Sequence, residues 1–438
     1  MQHWIEKIPL NALQIFQLLR FGTTLLIGIF LAKKSGLSTA DIALYEILLF
    51  LGNLVSFFWI SAGVKTLLSE FPNRPKDGNR FVINLFWTLL GIGFLAAMPL
   101  LFFPDFVTQQ FTNYEQLGLL PYVGVIVLLN TPAALIEFLY LLRKEPNKLV
   151  NYGLVLFTGQ LLAVTVTVYF FGSIAVVFKA LLGLHLLKFG WLLWLLKTQF
   201  GKKLPFFTLD VLLQKRIFYL LIPLALHMLI GGGMEYVDGL IVSNQFNNPA
   251  TFAIFRYGAR ELPLVTILMA ALSATLIPLA VTNPALAVEN IKKEVNKMVN
   301  WLYPLAILLT LLSPYLFPMV YNQAFAASAE IFNIYLLIIS SRILLPQVII
   351  LAKQHNYVLV GSALLEVILN LGLSLYWVEL FGLRGIAFAT VVAYLLNKLI
   401  LMTYNYFAFA IPFSAYINWT KYFGFNLGLF LAFMVSFH

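Results

Sequence analysis

Residues 81–103 read FVINLFWTLLGIGFLAAMPLLFF, an apolar run without a charged side chain. Hydrocarbon is about 30 Å thick and a helix rises about 1.5 Å per residue, so roughly 20 such residues cross a bilayer. The run does not alternate, which favours a spanning helix over a strand of a closed barrel. Similar runs predict spans at about 12–32, 42–62, 81–103, 119–142, 149–170, 174–196, 217–242, 251–281, 299–320, 329–352, 357–378 and 384–408. A thirteenth apolar stretch, about 417–437, either spans or lies in the interface.

The composition is that of a membrane protein along the whole chain. Of 438 residues, 61% are hydrophobic and 11% charged, whereas soluble domains average about 45–50% and about 25%. A soluble enzyme with one anchor is therefore excluded. The N-terminal MQHWIEKIPLNALQ lacks the features of a cleaved signal peptide, so the first span is expected to do the targeting. The fold class predicted is an all-α polytopic membrane protein with 12 spans plus a possible 13th.

Motifs for catalysis and metal binding are missing from the sequence. There is no cysteine, which excludes disulfides and thiolate metal sites. No Gly-rich phosphate loop, HExxH or GxSxG motif occurs. The histidines are too scattered for a metal site: His3, His185, His227, His355 and His438. We therefore predict a protein that is not an enzyme, with neither cofactor nor metal, in which a gradient or substrate supply drives transport.

Lysine and arginine are concentrated in alternate loops. With the N-terminus inside, the cytoplasmic loops carry most of these residues, whereas the outer loops carry Lys33, Lys34 and Arg384. This bias predicts a cytoplasmic N-terminus. The net charge of +10 is thus largely a topology pattern and does not indicate nucleic-acid binding.

The two halves of the chain repeat. Asn151-Tyr152 and Phe171-Gly172 flank the fifth span, and the same pairs recur at 356–357 and 381–382 around the eleventh. Parallel repeats are common in transporters. The repeat predicts two six-helix lobes with a transport path between them. The predicted ranges are an N-lobe at 1–200, a cytoplasmic linker at 201–216, a C-lobe at 217–408 and a C-terminal apolar segment at 409–438.

Charged residues lie within the predicted spans, where each costs roughly 2.5–3.5 kcal/mol at the bilayer centre. The cations must therefore face water, an acid or an anionic ligand. The candidate substrate-binding cations, for a pyrophosphate or a cavity, are Arg20, Arg342, Lys398, Lys188, Arg256 and Arg260.

Two of these cations, Arg20 and Arg342, have no acidic partner nearby in the sequence and come from different lobes. They either bind substrate phosphate, for which the planar guanidinium is suited, or cap free carbonyls. Lys188 either snorkels to the interface or lines the cleft. Lys398 shares a helix face with Thr390 and Tyr394, which places it in the cleft.

Acidic residues form a second group of candidates. Glu235 and Asp238 share a helix face, as do Arg256 and Arg260. They form either a structural ion-pair cluster or an outer gate, and Glu46 is assigned to the same gate or ion-pair class.

The remaining acidic candidates are Glu137, which shares a helix face with Asn130, and Glu366, which shares one with Asn370. Each pair is either a coupling-ion site or buried polar contact. Gly231, Gly232 and Gly233 predict either a hinge or close helix packing.

Two stretches carry a resemblance to a known family. They are LAKKSGLSTADIALYEILLFLGNLVSFFWISAGVKTLLSEF at 31–71 and LNLGLSLYWVELFGLRGIAFATVVAYLL at 369–396, with Gly382, Gly385 and Thr390 in a G-x-x-G-I-A-x-A-T pattern. Over nearly both lobes the chain resembles the O-antigen-type polysaccharide flippases of the MOP superfamily, which also contains the lipid II flippase and the MATE drug exporters. Lipid II flippases add two helices after the twelve, and this chain adds at most one.

The resemblance implies a V-shaped transporter with a cationic central cavity. It implies that an oligosaccharide on undecaprenyl pyrophosphate moves from the cytoplasmic to the periplasmic leaflet of the inner membrane. Expected partners are the lipid-linked oligosaccharide, membrane lipids and sugar polymerases or ligases, with no nucleic acid. The polyprenyl tail is expected in the gap between the first and the eighth predicted spans.

Two alternatives stay open. In an ion-coupled MATE-type exporter of small molecules, Glu137, Glu366 and Asp238 would carry the coupling ion. A membrane-embedded sugar ligase or polymerase is opposed by the short outer loops.

Overall fold

The computed structural model describes residues 10–33, 36–74, 77–114, 117–200 and 209–436. Within these ranges the regular elements are helical. Twelve of the described helices are long and apolar enough to cross a membrane. They correspond in order to the twelve predicted spans, so the predicted fold class is confirmed.

The chain divides into two compact units by its internal contacts. The first unit runs to Gly232 and includes Asn247–Ala250, and the second contains Gly233–Phe246 and the chain from Thr251 onward. The first unit contains α1 (Leu10–Lys33), α2 (Thr39–Glu70), α3 (Gly78–Phe102), α4 (Pro104–Phe111), α5 (Leu120–Ala133), α6 (Leu135–Leu142), α7 (Pro146–Phe171), α8 (Ile174–Leu195) and α9 (Val211–Gly232).

The second unit contains the remaining helices. They are α10 (Met234–Gln245), α11 (Pro249–Gly258, which enters the unit at Thr251), α12 (Pro263–Thr282), α13 (Pro284–Val320), α14 (Ala326–Leu336), α15 (Ile339–Arg342), α16 (Gln347–Ala352), α17 (Asn356–Phe381), α18 (Leu383–Phe409) and α19 (Trp419–Ser436). The division falls at the glycine run, within the span predicted to open the C-lobe.

Local sequence explains several helix ends. Ser38 and Asp41 form a capping box at the start of α2, because each side chain accepts a hydrogen bond from the backbone N–H of the other at 3.1 Å. Gly172 and Gly382 end α7 and α17 with φ of +55° and +60°. Only glycine adopts such angles without strain, so these two repeat positions stop both helices.

Each unit has an apolar core where its long helices pack. In the first unit α3 packs on α5, α1 on α7, and α9 on α2. In the second unit α17 packs on α18, and α10 packs on both. These contacts place polar side chains of α5, α6 and α8 in one group, and those of α10, α17 and α18 in another.

Several predicted helix boundaries are wrong. The predicted span 329–352 is divided among α14, α15 and α16, and α2 continues to Glu70, beyond the predicted residue 62. The predicted span 251–281 is broken, since α11 ends at Gly258 and α12 begins at Pro263. Proline disfavours a helical residue before it, and a Cβ at Gly258 would lie 2.5 Å from the Ser328 carbonyl oxygen. Helix α13 begins at Pro284, well before the predicted residue 299, because the helix continues through a charged segment beyond the apolar run.

The C-terminal segment folds as α19 on the second unit. Asn426 donates to the Tyr303 hydroxyl at 2.8 Å, and Tyr422 donates to the Ser340 carbonyl at 3.0 Å. This helix is not among the twelve candidate spans. Its first turns contain Thr420, Lys421 and Asn426, which lower its mean hydropathy.

Candidate functional site

A polar cavity of about 400 Å³ lies within the first unit. It is lined by side chains from α1, α2 and α5–α8. The polar side chains in its wall include Arg20, Thr24, Asn53, Ser61, Asn130, Glu137, Gln160, His185 and Lys188. The cavity thus collects three candidates that the sequence placed on separate helices: Arg20, Glu137 and Lys188.

Arg20 is ion-paired in this cavity. Its Nη2 lies 2.9 Å from Glu137 Oε2, and the guanidinium lies 5.3 Å from the Phe16 ring centroid. The Arg20 side chain is 47% exposed and that of Glu137 is 8% exposed. Arg20, which has no acidic partner nearby in the sequence, thus finds one in the folded chain. The pair joins α1 to α6 across 117 residues of sequence, so local sequence could not reveal it.

Lys188 is held by a neutral group. Its Nζ donates to Asn130 Oδ1 at 2.6 Å. An amide satisfies one ammonium hydrogen without cancelling the charge. Two cations and one carboxylate then line the cavity when His185 is neutral, leaving an excess of positive charge.

Arg342 is more fully neutralised than Arg20. Its Nε and Nη2 donate to the two oxygens of Glu261 at 3.0 Å and 2.5 Å, and its guanidinium lies 4.0 Å from the Tyr394 ring centroid. The cavity beside the pair has only about 10 Å³, room for about one water. Arg342 also lacks an acidic partner nearby in the sequence, and its partner Glu261 lies 81 residues away along the chain.

Lys398 repeats the arrangement of Lys188. Its Nζ donates to Gln347 Oε1 at 2.9 Å, so it too is bonded to a neutral amide. Lys188 follows Gly172 at the same sequence interval at which Lys398 follows Gly382. Each unit thus carries an amide-bonded lysine on a helix that follows a glycine stop.

Asp238 is buried among neutral donors. Tyr335 Oη and Thr390 Oγ1 both donate to its Oδ2 at 2.6 Å, and Asn370 Nδ2 donates to its Oδ1 at 3.2 Å. The predicted pairing of Asp238 with arginine is not what the structure contains, since these described partners are all uncharged. Asn370 donates to Asp238, and Glu366, one turn away on the same helix, instead accepts from Asn397.

Within the described part of the chain, two more oxygens on α17 are buried without a hydrogen-bond partner. They are Asn370 Oδ1 and Ser374 Oγ, one helical turn apart on the face that carries the Asp238 contact. Sequence reasoning missed Tyr335 and Ser374 here. The polar pair Asn370 and Ser374, four residues apart inside an apolar span, could have indicated Ser374. A carboxylate with unpartnered neutral oxygens nearby is chemistry suited to a hard cation.

The remaining predicted residues lie apart from these two sites. Arg256 is on α11, whereas Arg260 lies beyond the end of that helix, where its Nε donates to the Arg256 carbonyl at 3.3 Å. The two therefore do not share a continuous helix face, as the broken span 251–281 explains. Glu46 is half-buried on α2. Glu235 is on α10, and its side chain lies outside the described residues.

The glycine run separates two helices. Helix α9 ends at Gly232 and α10 begins at Met234, with Gly233 between them. A Cβ at Gly232 would lie 3.0 Å from Phe57 Cε2, whereas one at Gly231 would meet nothing within 4 Å. Close packing therefore explains Gly232, and Gly231 has no such packing reason.

No protein-family model and no curated protein sequence matches this chain. Several solved structures do match it. The chain is similar to the lipid II flippase MurJ in an inward closed conformation, with a TM-score of 0.67 and 16% identity over 96% of this chain and 92% of that one.

It is also similar to an inward-facing multidrug resistance MATE family transporter of the MOP superfamily, with a TM-score of 0.64 and 14% identity over 89% of this chain and 94% of that one. An outward-facing MATE structure matches with a TM-score of 0.58, at 14% identity over 91% and 94%. The chain thus shares an all-α fold, with 12 candidate membrane spans among the described residues, with these solved structures. Those structures are of a lipid II flippase and of multidrug resistance MATE family transporters.

Proposed function

We propose that this protein is a flippase that moves a polyprenyl-pyrophosphate-linked oligosaccharide from the cytoplasmic to the outer leaflet by alternating access. The observation that carries the proposal is the cavity of the first unit. It has a volume of about 400 Å³, is rich in hydrogen-bonding groups and has an excess of positive charge, because among the described residues Lys188 is hydrogen-bonded to the Asn130 amide while Glu137 is paired with Arg20.

The chemistry of such a substrate matches this cavity. A pyrophosphate is an anion, and cations act on it most strongly where water is scarce. Sugar hydroxyls need donors and acceptors, which Asn53, Gln160 and Ser61 supply in the cavity wall. A cationic drug would be repelled by the same excess charge, so the geometry favours an anionic cargo over the MATE-type alternative.

A specific observation favours ion coupling as part of the same function. Asp238 has neutral partners, and Asn370 Oδ1 and Ser374 Oγ lie buried without any. A charge at membrane depth is costly unless it is compensated. We infer that a proton or a small cation occupies Asp238 during part of the transport cycle. The predicted coupling role of Glu137 is not proposed further, since it is paired with Arg20, whereas Glu366 accepts from the neutral Asn397 and stays a predicted coupling site.

The cellular setting belongs to the same proposal. The loop charges support a cytoplasmic membrane location with the N-terminus inside. Sugar polymerases and ligases in the outer leaflet are the expected consumers of the product. Transport requires no chemical step, in keeping with a protein that is not an enzyme.

The proposal is tested by mass spectrometry of lipid extracts from depleted cells. We expect a polyprenyl-pyrophosphate oligosaccharide to accumulate within a few generations, and its mass would name the sugar. Complementation with the intact gene controls for effects on neighbouring genes. Unchanged lipids together with new sensitivity to cationic drugs would replace the flippase by the MATE-type exporter.

A further inference from the structure

An apolar groove of about 520 Å³ lies between α7 and α8 in the first unit. It is lined by Tyr152, Val155, Leu156, Leu184, Leu187, Lys188, Gly190, Trp191 and Trp194. The Leu187 side chain is 74% exposed, so the groove opens away from the protein. Both helices are candidate membrane spans, and the exposed side chains along the groove, such as Leu187 and Trp194, are apolar.

The groove adjoins the polar cavity. Four residues line both spaces: Tyr152, Leu156, Leu184 and Lys188. The first three contribute apolar or aromatic side chains to the walls. The fourth, Lys188, has no carboxylate within 4 Å of its charge among the described residues. A molecule lying across this boundary would have its hydrocarbon in the groove and its anionic group at Lys188 Nζ.

The walls of the groove are held in place. Trp191 Nε1 donates to Tyr140 Oη at 2.9 Å, and its ring meets Tyr152 edge-on at 5.3 Å between centroids. The two helices approach closely where Gly159 of α7 meets Leu184 of α8, since a Cβ at Gly159 would lie 3.1 Å from Leu184 Cδ1. At Gly190 an added Cβ would meet nothing within 4 Å. The groove is thus a slot with fixed walls and a gap at Gly190.

We propose that this groove holds the polyprenyl chain of the substrate and that Lys188 marks the point where its pyrophosphate enters the cavity. The inference rests on the proposed flippase function, and it places the polyprenyl chain between α7 and α8 instead of in the gap predicted between the first and eighth spans. A lipid with one chain and a large polar head fills both groove and cavity. A two-chain phospholipid has a small head and leaves the cavity of about 400 Å³ largely empty. The Trp194 end of α8 is the cytoplasmic end in the predicted topology, so the chain enters from the cytoplasmic leaflet.

Photo-crosslinking tests the site directly. A benzophenone amino acid replaces Leu187 in the groove or, as control, Tyr219 on α9, which is 80% exposed and lies as far from the cytoplasmic end of its helix as Leu187 does. The full chain in nanodiscs is irradiated with radiolabelled undecaprenyl pyrophosphate. We expect labelling at position 187 to exceed that at 219 about tenfold, and Lys188→Gln to reduce it about tenfold, the value of one charged hydrogen bond.

Two outcomes would overturn the proposal. Equal labelling at both positions would mean ordinary contact with bilayer lipid. Displacement of the label by excess phosphatidylglycerol, but not by unlabelled undecaprenyl pyrophosphate, would make the groove a phospholipid site.

A steric variant gives an independent readout in cells. Gly190→Trp fills the slot, whereas Gly183→Trp adds the same side chain to the same face of α8 about 10 Å away, where a Cβ also meets nothing within 4 Å. We expect lipid-linked oligosaccharide to accumulate with Gly190→Trp only, at equal protein levels. If depletion of the protein causes accumulation but Gly190→Trp does not, the groove proposal fails and the flippase stands. If depletion itself causes none, the flippase proposal fails.

Discussion

At the scale of single residues, the partner of each intramembrane cation decides what that cation can do. Arg20 and Arg342 are each ion-paired with a glutamate, so their charge is neutralised within the protein. Lys188 and Lys398 face amide oxygens, which accept a hydrogen bond and leave the charge intact. An anionic ligand therefore gains more from the lysines than from the arginines.

The first prediction concerns Lys188. Lys188→Gln should weaken binding of undecaprenyl pyrophosphate about tenfold to a hundredfold, because one charge-assisted hydrogen bond and the excess positive charge are lost. Lys188→Arg should retain most of the affinity. Binding is measured by scintillation proximity on purified protein. Equal affinity of the intact chain and Lys188→Gln would remove this lysine from the site.

The second prediction is a double-mutant cycle on the Arg20–Glu137 pair. Arg20→Gln leaves the buried Glu137 carboxylate without its partner and should destabilise the protein by about 1–3 kcal/mol, with the lower end set by the exposure of Arg20. The double variant Arg20→Gln/Glu137→Gln should recover much of the loss. Thermal unfolding in detergent measures both. Additive losses in the double variant would show that the two side chains are not coupled.

At the scale of helices, a break at Gly233 separates α9 from α10, the helix that carries Asp238. Gly232 is packed against Phe57, whereas Gly231 has open space where a side chain would be. Glycine weakens a helix by roughly 0.5–1 kcal/mol relative to alanine, and bending concentrates where the helix is weak. The glycine at 231 is thus explained by movement more readily than by packing.

The third prediction separates these two glycines. Gly231→Ala should keep or raise thermal stability, since nothing obstructs the new methyl group, and should slow transport because the hinge is stiffer. Gly232→Ala should lower stability, since the Phe57 ring must shift. Unfolding temperature and the rate of oligosaccharide-lipid turnover are measured in parallel. Normal transport by Gly231→Ala would confine bending to other positions.

The contacts of α10 with α17 and α18 create the second candidate site. Helix α10 supplies the Asp238 carboxylate, α17 supplies Asn370 and Ser374, and α18 supplies Thr390. Hydrogen bonds from uncharged groups stabilise a carboxylate, and the two oxygens without a described partner are further potential ligands for a positive ion.

The fourth prediction tests cation binding at this site. A cation that binds the native state raises thermal stability with its concentration, and we expect this for Na⁺ at constant ionic strength. Asp238→Asn should abolish the shift. Ser374→Ala should weaken it while leaving stability without Na⁺ unchanged, because the deleted hydroxyl has no hydrogen-bond partner in the structure. A shift that survives both substitutions would place the ion elsewhere, and a response to pH alone would identify the ion as a proton.

At the scale of the whole molecule, the two units differ in their buried charge. The cavity of the first unit has an excess cation, and the second unit buries Asp238 among neutral donors. One fold thus provides an environment for an anion in one unit and for a cation in the other. Such a division suits a transporter that couples an anionic lipid to an ion gradient.

The fifth prediction concerns topology. The chain has no cysteine, so single cysteines can be introduced without removing any. Asn113→Cys, in the predicted outer loop after α4, should react with an impermeant maleimide in intact cells. Asn147→Cys, at the predicted cytoplasmic start of α7, should react only after the membrane is opened. Both positions are exposed. The reverse pattern would invert the orientation of every helix.

The sequence by itself determined the number and order of the spanning helices and the fold class. It could do so because the thickness of the hydrocarbon layer sets the length of each apolar run, and because each run is one continuous stretch of sequence. It also located the helix stops at Gly172 and Gly382, where positive φ depends on one residue. The break between α11 and α12 was missed, since a tight approach to Ser328 is not local.

Only the tertiary structure decided which polar groups meet. Arg20 and Glu137 lie 117 residues apart in sequence, and Asp238 and Thr390 lie 152 apart. The sequence drew attention to Arg20, Lys188, Asp238 and Asn370, because polar residues in a span are rare and costly. It grouped Asp238 with arginines and Asn370 with Glu366, whereas the structure bonds Asn370 to Asp238. The partners of each charge depend on the helix packed against it and not on its neighbours along the chain.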